Sequence, residues 1–402
     1  ERNITHSVQL THTMLDRTKK IGYFYLITYT VAALLLLWLA IAWFVPLLKT
    51  RISARHSMAL LTLLLVLLLA AYLAIHPHID TQGFHLFGKT FGASDGDDAI
   101  DVAISELLGG RYPYFARTFL GNPLTPMPGA LLLALPFYIL GDSGVQNLFW
   151  LAVFFIMVAK FYRDSFLAAI LAYMVCFFSP NVVYQIMTGS DYISNSIYTL
   201  VFSLMVLKSA KQGKSFDQCA FWSVLLGIGL SSRLNFSLNL IIIMFTLLKV
   251  TSRQKAIGLI LIVLASFTVV TLPAFAYAPS DFSPLHTANM LSIGGSLAWA
   301  PFAVPLLGAM LALFLAFKRG KNHVSSIVKD IFLVQVFLMV SGLVLAWLLR
   351  GRISLEYPHF GILFFFYGIW AFGPKCLLES EAVSARIQPK DKSNRSFDLV
   401  KA

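Results

Sequence analysis

A chain of 402 residues that is 58% hydrophobic and only 12% charged departs from soluble globular proteins, which are about half apolar and about a quarter charged. The apolar residues arrive in blocks approaching or exceeding the roughly 20 residues that carry a helix across a bilayer, which excludes soluble enzymes, secreted disulfide scaffolds and nucleic-acid binders. The net charge of +12 belongs to short basic clusters between apolar blocks, the pattern of cytoplasmic loops in membrane proteins.

In chain order the apolar blocks run Gly22–Leu48, Met58–Ile75, Val145–Phe161, Phe166–Phe178, Tyr192–Leu207, Phe216–Leu230, Leu234–Val250, Ala256–Tyr277, Leu297–Phe317, Ile331–Leu349 and His359–Cys376. They predict an all-α, polytopic helical bundle of about eleven spans. A further block, Met127–Leu140, makes only about 20 Å of helix at 1.5 Å per residue and is too short for a hydrocarbon core of about 30 Å. Lys208/Lys211/Lys214, Lys249/Arg253/Lys255 and Lys318/Arg319/Lys321 follow every second span and mark one side as cytoplasmic, as do Lys49/Arg51/Arg55 and Lys160/Arg163. Parity holds only if Met127–Leu140 is a re-entrant half-helix, which is tolerated where protein packs around it. Arg17, Lys19 and Lys20 fall on the opposite side on this count.

The expected organisation is one membrane domain, residues 1–378, with an extracytoplasmic loop at 76–127 and a polar cytoplasmic tail at 379–402. The cysteines Cys176, Cys219 and Cys376 lie in or beside apolar segments without CxxC spacing and read as small apolar packers. No cleavable signal sequence is visible, the first apolar block being too long for one.

The first outer loop holds the densest polar cluster, Asp95, Asp97, Asp98 and Asp101. Ile100, Ala103, Ile104, Leu107 and Leu108 follow at helical spacing, so an amphipathic helix lies along the membrane surface with the acids at its start. One Asp there is ordinary capping; three, with a fourth at Asp101, exceed that need. Arg111-Tyr112-Pro113-Tyr114 and the proline-rich stretch Asn122–Pro128 lead into the short helix. Asp191 opens the next outer-facing span beside Asn195 and either caps that helix or lines the same cavity. Arg233 interrupts two apolar blocks with almost no loop, which marks a functional position in a membrane chain. Arg350 and Arg352 flank Gly351 ahead of Glu356, Tyr357 and His359; they suit phosphate oxygens or pair with Glu356 across a short turn. His286 and Asn289 are candidates by position alone. His76, His78 and Asp80 have no second cluster at ligand spacing and read as a solvated interface.

The acid pair Asp97/Asp98, the amphipathic helix ending in Gly110-Arg111-Tyr112-Pro113-Tyr114, and Asn122 to Pro128 together resemble the first extracytoplasmic loop of GT-C-fold membrane glycosyltransferases. The detailed likeness covers about fifty residues, the remainder agreeing in helix count and loop disposition. The resemblance implies an inverting transfer of a sugar from a polyprenyl-phosphate carrier to a lipid, glycan or protein acceptor. It implies an active site on the extracytoplasmic side of the inner (cytoplasmic) membrane, in assembly of cell-envelope glycan. Asp97 or Asp98 would be the general base. If Mg or Mn takes part, the same two carboxylates are suitable hard ligands. Asp95, Arg111, Tyr112, Tyr114, Asn122 and Asp191 would line the substrate site, with Arg233, Arg350, Arg352, Tyr357 and His359 on the phosphate or lipid side. Rival readings are a surface-polysaccharide polymerase or ligase, a lipid-linked-substrate transporter or flippase, and a non-catalytic scaffold. A transporter predicts mid-span ionisable residues and an internal repeat, and the sequence displays neither.

Overall fold

The computed structural model describes residues 52–82, 84–86, 89–91, 94–285, 300–318, 324–350 and 361–373, nearly all of them in one compact unit, Ala54–Lys375. The predicted first span Gly22–Leu48, His286, Asn289, Arg352, Tyr357, His359, the side chain of Arg350 and the tail 379–402 lie outside the described residues.

Among the described residues the regular structure is helical apart from a hairpin of two three-residue strands. Helix α1 (Ala54–Gln82) leads to β1 (Phe84–Leu86) and β2 (Lys89–Phe91), paired antiparallel with Phe84 opposite Phe91. Then come α2 (Asp98–Leu108), α3 (Pro128–Ile139), α4 (Gln146–Tyr162), α5 (Ser165–Phe178), α6 (Pro180–Met187), α7 (Tyr192–Lys211), α8 (Phe216–Leu230), α9 (Asn239–Val250) and α10 (Arg253–Tyr277). Helices α11 (Ala300–Lys318), α12 (Val324–Arg350) and α13 (Ile362–Gly373) complete the described bundle.

Among the described residues, five helices are long and apolar enough to cross a membrane, and six if α5 and α6 form one broken span. α3, α8, α9, α11 and α13 lie in shorter apolar helices, so the predicted blocks recur as helices but several are shorter than a full span. The stretch Ser179–Asp191, between the predicted blocks Phe166–Phe178 and Tyr192–Leu207, contains α6, turned by 85° from α5. Proline cannot continue a helix but suits its first turn. Here Pro180 follows Ser179, whose hydroxyl accepts from the Val182 amide at 3.4 Å, so the pair ends one helix and starts the next.

Polarity runs inside-out. α7 is the most buried span, with 89% of its membrane-length window inside the protein, against 22% for α1 and 17% for α10. Yet α7 carries Ser194, Asn195, Ser196, Thr199 and Ser203, all buried, while α1 turns Leu63, Val66, Leu67 and Leu73 outward. Lipid rewards apolar side chains on the periphery, whereas small polar residues let helices approach closely in the centre. Their hydroxyls bond back along the helix, as Ser203 does to the Thr199 carbonyl at 2.6 Å. Helices α4, α8, α9 and α12 pack around α7. The Phe-rich run of α13 is core: Phe366 and Tyr367 are fully buried.

The helix ends sort into two faces. On one, Ser165 Oγ donates to the Ala54 carbonyl at 3.3 Å, Lys208 lies 5.7 Å from the Phe161 ring, the Lys255 ammonium donates to the Lys214 carbonyl, and Lys249 reaches the Ala316 carbonyl at 2.6 Å. This face gathers the basic clusters. The opposite face gathers the C-terminal end of α1, the starts of α2, α4 and α7, and the α8–α9 junction, with most of the acids. Both ends of α3 are tied to it: the Met127 amide donates to the Ser232 carbonyl at 3.2 Å, and beyond the other end Asp142 accepts from the Tyr72 hydroxyl at 2.8 and 2.7 Å. α3 therefore returns to the face it started from.

Candidate functional site

The acids of the first loop each have a different task. Asp97 precedes α2, but its carboxylate caps nothing. It turns to the end of α1, where Oδ2 lies 3.0 Å from His76 Nε2. His76 is buried, at 7% exposure, and not in the solvated interface expected from sequence. Its Nδ1 faces the Met187 carbonyl at 3.0 Å. With an acceptor at each ring nitrogen, the imidazole and Asp97 must share a proton beyond the one on Nδ1. The ring stacks on Tyr72 at 4.5 Å, and Tyr72 donates to Asp142, whose Oδ1 also accepts from the Gly144 amide at 2.8 Å. Asp97 Oδ1 is buried and has no partner.

Asp95 clamps the loop, accepting from Thr118 Oγ1 at 2.6 Å and from Asn122 Nδ2 at 2.8 Å. Asp98 accepts from the Phe119 amide at 2.8 Å; burial pushes its carboxyl up, against the pull of that amide. Asp101 is half-buried. Burial pushes it up to about 7, the neighbouring Asp97, Asp142 and Asp98 adding to the effect while Ser143 opposes it.

A second group adjoins the first through the segment before α7. Gly189 has φ +65°, and a Cβ there would come within 2.8 Å of Asp97 Cβ, so only glycine lets the chain turn against that acid. Asn147 holds the neighbouring Ser190 carbonyl at 2.7 Å. Two residues past Gly189, Asp191 pairs through Oδ1 with Arg233 and accepts through Oδ2 from Asn195 Nδ2 at 2.7 Å. Its side chain is only 2% exposed and makes no capping bond. The structure excludes the capping role and gives Asp191 an ion pair instead. Arg233 also reaches Thr125 Oγ1 at 3.3 Å and lies 4.7 Å from the Tyr192 ring, while its buried Nε has no partner.

The remaining predicted residues hold the loop together. Tyr114 is buried and donates to the Pro126 carbonyl at 3.0 Å; Tyr112 donates to the Ala274 carbonyl at 2.9 Å. Both rings pack with Ile100, Ile104 and Leu131, which seats α2 on α3. Arg111 is exposed and bidentate to Glu106 at 2.6 and 2.9 Å; the pairing holds the Glu106 carboxyl below its usual range. The structure thus sets Asp97 against Gly189 and, two residues on, pairs Asp191 with Arg233, and it turns Asp95, Asp98, Arg111 and Asn122 to contacts within the loop.

His76, Tyr72 and Asp142 are the residues that sequence reasoning missed. The signal was present for α1: Tyr72 and His76 stand four apart, one above the other on a helix. Asp142 in Leu-Gly-Asp-Ser-Gly carried the signature of a turn. His76, Asp97 and Asp142 each offer one ligand atom within 4.8 Å of the others. One imidazole and two carboxylates fit a borderline divalent ion such as Mn or Zn as well as they fit Mg. Protein contacts already occupy His76 Nε2 and both Asp142 oxygens, and only Asp97 Oδ1 stands ready-made. Asp98, the other predicted ligand, is not in this group.

No protein-family model, curated protein or solved structure matches this chain.

Proposed function

We propose that the chain is a GT-C-like membrane glycosyltransferase that moves a sugar from a polyprenyl-phosphate carrier to a hydroxyl acceptor at the acidic face, with inversion. The observation that carries this reading is the Asp97 carboxylate: buried, fixed through one oxygen by His76, free at the other, and packed against Gly189, two residues before the Asp191 that pairs with Arg233. A hydroxyl acceptor placed at Asp97 Oδ1 gives up its proton as its oxygen bonds to the anomeric carbon. The bond from that carbon to the phosphate oxygen breaks, and polyprenyl phosphate leaves with the electron pair. Arg233, held by Asp191 through one nitrogen, faces the phosphate side through its unpartnered Nε, a donor that suits an anion. His76 acts through Asp97 as a positioning residue. A divalent ion, if bound by His76, Asp97 and Asp142, would supply electrophilic stabilisation of the leaving phosphate. On this reading the acidic face is extracytoplasmic, because the basic face obeys the positive-inside rule, and the membrane is the inner one that the use of a polyprenyl-phosphate carrier implies.

The test is transfer of labelled sugar from a polyprenyl-phosphate donor by the purified protein. Asp97→Asn should lower turnover by roughly 10²–10⁴ with the fold retained, and Asp98→Asn should cost far less. Undiminished transfer in a folded Asp97→Asn protein removes the base and the reading with it.

A further inference from the structure

The basic face carries a site of its own. Where α7 ends and α8 begins, the two helices open a cleft of about 580 Å³, walled by Lys208 and Gln212 of α7, Lys214 of the turn, and Asp217, Phe221 and Trp222 of α8. We propose that this cleft binds the headgroup phosphate of an anionic phospholipid, independently of the reaction at the opposite face.

The first argument is charge. Lys208 and Lys214 stand in the cleft wall, Lys211 lies between them in sequence, and Lys255 donates to the Lys214 carbonyl. Asp217 is the one carboxylate in the cleft wall. The C-terminal end of a helix favours cations, which accounts for Lys208 and Lys211 in the last turn of α7. It does not account for Lys214 in the turn, and it works against Lys255, which together with Arg253 opens α10, the end of a helix that repels positive charge. Two lysines against one carboxylate leave the cleft wall with a net positive charge, which favours an anion.

The second argument is the apolar wall. Phe221 is 58% exposed and stands beside Trp222 on α8. The Lys208 ammonium is held near the Phe161 ring at 5.7 Å, so cation and aromatic rings share one level at the end of the bundle. Aromatic side chains with lysines in this arrangement mark the boundary between headgroups and acyl chains. A free anion needs only the lysines. A lipid uses both walls, its phosphate on the lysines and its chains along Phe221 and Trp222, as basic pockets between helices do with acidic headgroups.

The experiment uses the full chain in detergent. Added phosphatidylglycerol should raise the unfolding temperature of the wild type by several degrees, whereas phosphatidylcholine and inorganic phosphate at equal concentration should leave it unchanged. In Lys208→Gln/Lys214→Gln the apparent affinity for phosphatidylglycerol should fall at least about fivefold. Brominated phosphatidylglycerol should quench a tryptophan signal that Trp222→Phe removes, which reads occupancy of this cleft even if the double variant is unstable. Equal affinity in both proteins, quenching unaltered by Trp222→Phe, or an equal shift with inorganic phosphate or phosphatidylcholine would overturn the assignment.

Discussion

Asp97 is held by a single side chain, and that dependence has measurable consequences. Removing one partner of a buried, hydrogen-bonded pair costs about 3–5 kcal/mol because the other is left unpaired. His76→Ala should therefore destabilise the protein markedly. Asp97→Asn combined with it should add little, a coupling of about 1–3 kcal/mol in a double-mutant cycle of thermal unfolding; additive losses would show that the two side chains do not act as a pair. Asp101 is a pH-dependent liability. Its carboxyl is raised from 3.8 to about 7, so the folded chain keeps a proton that the unfolded chain releases, and stability falls as pH rises from about 4 to about 7. Asp101→Asn removes that penalty. The variant should melt a few degrees above the wild type at pH 8, and the gap should narrow toward pH 5; a gap independent of pH would sink the argument. At this scale the sequence was only half legible. The acids of the first loop and Arg233 stood out as charges in an apolar chain. Which oxygen each acid spends, and on what, depends on contacts such as Asp97 with His76 and Asp95 with Asn122 that cross 21 and 27 positions and leave no local pattern.

Among the elements, α3 was legible in length and α6 was not. The block Met127–Leu140 announced a helix too short to cross, and the helix found there, Pro128–Ile139, has twelve residues and both its ends on one face. α6 hid between two predicted blocks, although Ser-Pro is a helix-start signal; eight residues are too few for periodicity to speak. The seat of α3 is Gly129, where an added Cβ would collide with the Ile228 carbonyl of α8 and with Oγ of Ser231 just past its end. The Gly129 amide also donates to the Ser231 carbonyl at 3.2 Å. Backbone cannot yield as a flexible side chain can, so Gly129→Val should cost about 1–3 kcal/mol or more. Lowered thermal stability, with Ala less severe than Val, is the expected result; wild-type stability in both would mean that α3 and α8 are not in contact.

At the level of the whole molecule, alternating basic clusters predicted the segregation of helix ends into two faces, and the contacts among Lys208, Lys214, Lys255 and their neighbours agree with it. Blocks of apolar residues gave helix positions well but span lengths poorly, because hydropathy does not say where a helix stops inside a polar centre. The two-face arrangement makes a direct prediction. Leu120 on the acidic face is 48% exposed, and Lys211 is exposed on the basic face. With the native cysteines replaced by serine, Leu120→Cys should react with an impermeant thiol reagent in intact cells. Lys211→Cys should react only after permeabilisation; labelling of both from one side would refute the arrangement.

The inverted polarity of α7 bears on how the protein is made. A nascent helix leaves the insertion machinery on the strength of its own affinity for lipid, and α7 spends many of its positions on serine, threonine and asparagine. Among the helices it packs against, α4 is made before it, with α5 and α6 between, and α8 directly after it. α7 thus depends on company: α4 already in place and α8 arriving directly behind it. Biogenesis of the bundle is then a matter of timing, with the centre admitted to the bilayer only as part of a group.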